Sequence, residues 1–332
     1  MSTNKPKPSS PNLVEQVSGV IKGLKADLVA TFSPKAPHSP EQLVAESKRT
    51  QPEPAGVSVP SLVSRNLLVR ALSGALYVAV NIAGIVLGGR WCALVMAITA
   101  GICCWEFFRL MRSDCKLPNQ IVGIAFAALM PLVALVNPLF LEGVVFLLVM
   151  VLGFWYVIDQ QARITDVAVT AFGTIYTGFT LSALVAIRCA DTMPNEAAII
   201  LCIGVMASVW INDACAYLVG SAFGKHKMVP AISPKKSWEG FVGGICGSLA
   251  VWCALLFFPE TGVTPFVAVF CGLVCGVVGV IGDLVESRIK RGAGVKDSGN
   301  LIPGHGGLLD RSDSMLFVAI AAYFILTLMG VI

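Results

Sequence analysis

The stretch PFVAVFCGLVCGVVGVIGDLVESRIK, residues 265–290, decides the fold. Its first eighteen residues carry no charge, close to the length a helix needs to cross a ~30 Å hydrocarbon core. Asp283, Glu286, Arg288 and Lys290 then follow within eight residues. An uncharged run that ends in clustered charge is the pattern of a bilayer helix meeting water.

The rest of the chain repeats that pattern. Of its 332 residues 56% are hydrophobic and only 13% charged, with a mean hydropathy of +0.78, whereas soluble domains carry about 25% charge. The expected fold is therefore all-α, a polytopic integral membrane helix bundle. Nine spans are expected at residues 67–88, 91–111, 119–136, 138–158, 166–188, 197–220, 241–258, 265–285 and 311–332, the third and fourth parted only by Asn137 and Pro138. Most of the eleven cysteines lie inside these runs, where a thiol behaves as a small hydrophobe. Cys271 and Cys275, at i, i+4, are read as packing residues and not as metal ligands.

Residues 1–64 form a separate extension rich in Pro, Ser, Lys and Glu and are expected to be mostly disordered. Within it Leu13, Val17, Val20, Ile21, Leu24 and Leu28 recur at helical spacing and suggest an amphipathic helix over 12–32. No secretory leader precedes the first span, so insertion is expected to rely on that span.

Lys and Arg in the connections set the orientation. If the spans alternate, one side carries thirteen of them: Arg109, Arg112, Lys116, Arg163, Lys225, Lys227, Lys235, Lys236, Arg288, Lys290, Arg291, Lys296 and Arg311. The other carries Arg90 and Arg188. The richer side is expected to be cytoplasmic, together with the N-terminus, and it brings the loops at 221–240 and 286–310 to one surface.

Ionised side chains within spans are costly and mark function by default. Glu106, followed by Arg109 at i+3, reads as an interfacial pair. Asp213 is embedded in SVWINDACAYLVG, with Tyr217 on its face at i+4. Asp283 and Glu286 share a face at i, i+3, and Asp310 opens the last span. Carboxylates converging at one depth repel unless a cation joins them, and hard oxygen ligands favour Mg²⁺. Asp283 and Asp310 are the first metal-ligand candidates, then Asp213 and Glu286, with a second metal ion allowed for.

Beside them stand Lys235, Lys236, Lys290, Arg291, Lys296 and Arg311, suited to phosphates. Gly299, Gly304, Gly306 and Gly307 would let backbone N–H groups approach an anion. Ser312 is placed to cap the last helix. His305 is a candidate for phosphate contact or proton transfer, while Asp297 reads as a loop-ordering residue. No P-loop or dinucleotide fingerprint is present, and nothing points to nucleic acid.

Residues 287–313, SRIKRGAGVKDSGNLIPGHGGLLDRSD, fill the shape S-x-x-K-R-x4-K-D-x-G-x4-G-H-G-G-x-x-D-R-x-D. This resembles the C-terminal signature of the phosphatidate cytidylyltransferases, or CDP-diacylglycerol synthases. Residues 212–244 resemble that family's D-x-x-A-Y-x-x-G and S-P-K-K-x-x-E-G motifs. Ser312 departs from the apolar residue or Thr usual there. The resemblance covers residues 200–332 most closely, the expected catalytic part, and extends back to 65.

It implies that CTP and phosphatidic acid condense to CDP-diacylglycerol and pyrophosphate with Mg²⁺. It implies catalytic roles for Asp283, Asp310, Lys290, Arg291, Lys296, Arg311 and His305. Substrate contacts are then expected at Ser233, Lys235, Lys236, Tyr217, Gly306 and Gly307. The lipid bilayer is an expected partner, a homodimer is allowed for, and the location implied is a bacterial cytoplasmic membrane. A CTP-dependent polyprenol or phytol kinase is the nearest alternative. An ion-coupled transporter, with its charges near span midpoints, is the alternative from another class.

Overall fold

The computed structural model describes residues 60–113, 116–302 and 306–332, with side chains described from residue 72. The expected helix at 12–32, most of the N-terminal extension, Gly304 and His305 lie outside the described residues. Among the described residues nine long helices follow in order: α1 Pro60–Leu87, α2 Gly89–Ser113, α3 Gln120–Val136, α4 Phe140–Ile158, α5 Ile164–Arg188, α6 Asn195–Phe223, α7 Trp238–Ala254, α8 Pro265–Gly292 and α9 Leu309–Leu328. Each expected span has its helix. Seven are long and apolar enough to cross a membrane. The apolar part of α1, Leu72–Leu87, and α3 are shorter. α4 leaves Phe146, Phe154 and Val157 exposed, a face that lipid tails can solvate. The chain is a multi-pass membrane protein.

Three boundaries differ from expectation. α1 is already helical at Pro60, where the described residues begin, seven residues before the expected span at 67. α8 continues seven residues past Val285 to Gly292, so its 28 residues measure about 42 Å at 1.5 Å per residue. Hydropathy falls there, but Glu286 and Lys290 pair along the helix at i, i+4. The helix stops where Gly294 takes φ +72 and Val295 N–H returns to Lys290 O at 3.0 Å. The loop expected at 221–240 contains an antiparallel hairpin, β1 Lys227–Val229 with β2 Ser233–Ser237, so the bundle is all-α but for one small ribbon.

Close helix approach organises the C-terminal half. A methyl built on Gly240 of α7 would fall 2.7 Å from the Ala216 carbonyl oxygen of α6. One on Gly272 of α8 would fall 2.7 Å from Leu249 Cα of α7, and one on Gly282 of α8 2.7 Å from the Asp313 carbonyl oxygen of α9. Lipid tails are as apolar as leucine, so association in a bilayer depends on such backbone proximity. α6, α7, α8 and α9 therefore pack in sequence, and α9 also meets the second half of α5. α5 contains a π-helical turn, Ile175–Phe179, where Gly178 lies against the Ala127 backbone of α3.

Polar connections gather at one end of this bundle. Leu117 N–H donates to Asp166 Oδ1 at 2.8 Å, joining the α2–α3 connection to the start of α5. Arg291 Nε donates to Ile232 O at 3.4 Å, joining the end of α8 to the hairpin turn. The expected meeting of the 221–240 and 286–310 loops is thus present.

Candidate active site

The hairpin is built by its own motif residues. Ser237 caps α7 by accepting from Gly240 N–H at 3.2 Å. Glu239 grips His226, accepting from its backbone N–H at 3.2 Å and meeting Nδ1 at 2.6 Å. Trp238 N–H donates to His226 O at 2.9 Å. The closed hairpin projects Lys236 onto α8, where its Nζ lies 2.7 Å from Asp283 Oδ2. Ser287 donates to the other oxygen of Asp283 at 3.1 Å.

Asp283 is not alone. Contact of Gly282 with the Asp313 backbone sets α8 against the first turn of α9. Gly279 lies against Asn212, which brings in α6 beside Asp213. Asp213, Asp283 and Asp313 lie within electrostatic reach of one another, with Lys236 and Arg311 acting on Asp213 from the opposite sign. Asp213 is exposed, and Asp283 and Asp313 are partly so.

The second group is buried and internally paired. Lys290 Nζ contacts Asp310 Oδ1 at 2.6 Å and also pairs with Glu286. Asp310 Oδ2 accepts from Gly307 N–H at 2.7 Å, from Ser298 N–H at 2.9 Å and from the Ser298 hydroxyl at 2.9 Å. With three donors on one oxygen and an ammonium on the other, Asp310 is a loop latch in this conformation. The four expected metal ligands therefore divide: Asp213 and Asp283 stand with Asp313, whereas Asp310 and Glu286 are tied to Lys290.

The glycines also acquire a different reason. A methyl on Gly299 would fall 2.5 Å from Glu106 Oε1, one on Gly307 2.5 Å from Glu106 Oε2, and one on Gly306, at φ +84, 2.6 Å from Asp310 Oδ2. The space they leave is occupied by protein carboxylates, which corrects the expectation that it serves a ligand phosphate. Glu106 itself is fully buried, which corrects its reading as an interfacial residue. Arg109 lies over the Trp105 ring at 5.4 Å. Ser312 does not cap α9: it is buried and meets Tyr77 Oη at 3.2 Å.

Of the remaining expected residues, Lys235, Lys296, Arg311, Asp297 and Tyr217 are exposed, and Ser233 opens β2 half-buried. Arg291 braces the loop by donating to Val295 O at 3.2 Å. Among the described residues no three Asp, Glu, His or Cys side chains form a ready ligand cage. Mg²⁺ usually takes one or two carboxylates and completes its shell with water and substrate phosphates. The open Asp213, Asp283 and Asp313 group fits that mode, and the saturated Asp310 does not. Sequence reading missed Asp313, although it ends the D-R-x-D motif, and missed Ser298; it singled out Glu106 as a charge within a span but took it for half of an interfacial pair.

The family model described as the cytidylyltransferase family matches residues 68–329. The chain belongs to the cytidylyltransferase family. The matched region holds both polar loops and also α2 with Glu106. A phosphatidate cytidylyltransferase from Synechocystis sp. is 31% identical over 284 residues, covering 78% of this chain and 96% of the relative. One from Mycobacterium bovis is 48% identical over 126 residues, 38% of this chain and 40% of the relative. One from Staphylococcus aureus is 50% identical over 110 residues, 33% of this chain and 42% of the relative. The chain is thus matched over about two-fifths of the length of the Mycobacterium and Staphylococcus relatives.

Proposed function

We propose that the protein transfers the cytidylyl group of CTP to phosphatidic acid, giving CDP-diacylglycerol and pyrophosphate. The observation that carries this reading is the Lys236–Asp283 contact. It sets a basic hairpin against an open carboxylate group at the end of a membrane bundle, in a chain of the cytidylyltransferase family.

A phosphate oxygen of the lipid attacks the α-phosphorus of CTP, and the bond from that phosphorus to the bridging oxygen of pyrophosphate breaks. Two polyanions must meet, so the chain's task is positioning and charge neutralisation. Lys235 and Lys236 on the hairpin, Lys296 in the loop after α8 and Arg311 in the first turn of α9 are assigned to phosphate oxygens. Lys236 then exchanges its hold on Asp283 for substrate. One or two of Asp213, Asp283 and Asp313 would hold Mg²⁺, which when bound supplies Lewis-acid neutralisation of the phosphates. Asp310, Lys290 and Arg291 shape the loop that faces this group. The lipid phosphate is already anionic near pH 7, so no general base is assigned.

By the positive-inside rule the loop-bearing end faces the cytoplasm, and the bacterial relatives suggest a bacterial cytoplasmic membrane. The site then opens both to soluble CTP and to lipid headgroups.

Pyrophosphate release by purified protein in mixed micelles tests the reading. Release should require CTP, Mg²⁺ and phosphatidic acid together and should cease when diacylglycerol replaces phosphatidic acid. CDP formation with an alcohol lipid would support a kinase instead.

A further inference from the structure

We propose that Glu106, on a helix outside both signature loops, is a positioning residue of this reaction, holding Ser298 and the Gly307–Leu309 entry to α9 in working shape. The inference rests on the function proposed above and extends it to the N-terminal half of the bundle.

A buried carboxylate is costly unless its oxygens are satisfied, and those of Glu106 are satisfied by one distant segment. Oε1 accepts from Leu308 N–H at 3.1 Å, and Oε2 accepts from Leu309 N–H at 2.7 Å. The Ser298 hydroxyl, which donates to Asp310, has Glu106 Oε2 as a longer second partner at 3.3 Å. A helix start leaves N–H groups without internal partners and favours negative charge. α9 has Leu308 at its cap position, which offers no side-chain acceptor. Glu106 supplies the missing cap from about 200 residues away, filling the slot between Gly299 and Gly307.

The effect reaches the reacting groups in two directions. Through Ser298, Glu106 shares a partner with Asp310, whose other oxygen holds Lys290. Through the capped turn it sets the azimuth at which α9 presents Arg311 and Asp313. α2 is itself held by the packed rings of Phe107, Phe108 and Tyr176, so the carboxylate has a rigid base. The buried body of α9 does not need this cap to stay in the bundle. A fault at Glu106 should therefore misplace the loop before it unfolds the protein.

Glu106→Gln is the informative change, because it keeps size and one acceptor while turning an amide N–H toward a backbone N–H. We expect kcat per folded molecule to fall about 30-fold or more, with KM for CTP and for phosphatidic acid shifting less than about 3-fold. Amide exchange at Leu308 and Leu309 should accelerate, while size-exclusion profile and helix content stay those of the wild type. Glu106→Ala should lose at least as much activity, and Glu106→Asp, one methylene short, should not rescue it. Unchanged kcat in folded Glu106→Gln protein would overturn the proposal. So would failure of that variant to fold, which would mark a carboxylate that serves stability alone. Absence of transfer by the wild-type protein would instead refute the proposed function, and unchanged amide exchange would refute the cap.

Discussion

Lys290 holds two carboxylates that have almost no access to water, and replacing it with methionine should expose how much of the fold depends on that arrangement. The side-chain exposures are 12% for Lys290, 0% for Glu286 and 5% for Asp310. Methionine preserves the stem but leaves two buried carboxyl groups facing each other with no cation, so that one of them must take up a proton to stay buried. Removing one partner of a buried pair costs about 3–5 kcal/mol, a large share of a typical stability of ~5–15 kcal/mol. The charge logic can be separated from the loss of packing by adding Glu286→Gln, which puts a neutral side chain of the same volume there without the need to bind a proton. The double variant should recover about 1 kcal/mol or more relative to Lys290→Met, and the coupling should appear in a double-mutant cycle. Equilibrium unfolding in mixed detergent micelles, followed by tryptophan fluorescence, measures all four corners. Transfer activity should be lost in both Lys290 variants, since restoring neutrality does not restore the cation that anchors Asp310. A cost below about 1 kcal/mol for Lys290→Met, or no recovery in the double variant, would refute the reasoning.

Three further outcomes are expected. Lys236→Ala removes a partly exposed pair with Asp283, so stability should change by less than about 1 kcal/mol. KM for CTP should rise about tenfold or more, and an unchanged KM would remove Lys236 from the nucleotide site. Gly307→Ala should abolish turnover, because the added methyl meets Ser298 and both oxygens of Glu106, whereas Gly292→Ala, with nothing within 4 Å, should match the wild type in a parallel rate assay. Deleting residues 1–59 should leave specific activity within about threefold, since the family match begins at residue 68. Loss of activity in a folded truncated protein would assign the extension a direct role.

Hydropathy locates spans because it reports the solvent each segment requires, and all nine helices were legible from it. Alternation of those spans also foretold that the loops at 221–240 and 286–310 share a surface. What hydropathy cannot report is lateral contact. α8 outruns its apolar stretch because Glu286 and Lys290 sustain the helix between themselves. Glu106, three residues before an arginine near a helix end, has the same local pattern as an interfacial ion pair. Its true partners are Leu308 and Leu309, two apolar residues whose side chains carry no trace of their backbone bonds. The glycines at 299, 306 and 307 marked a place of close approach but not the occupant, because a protein carboxylate and a ligand phosphate require the same absence of a side chain. The split of the acidic residues into an open group and a paired group likewise depends on which lysine reaches which oxygen.

The most direct test of the account is to supply the detergent-solubilised protein with phosphatidic acid, Mg²⁺ and CTP labelled separately at the α- and γ-phosphates. Label from the α-position should enter the lipid while the γ-label leaves in pyrophosphate. Entry of the γ-label into lipid, or no transfer from either position by protein shown to be folded, would contradict it.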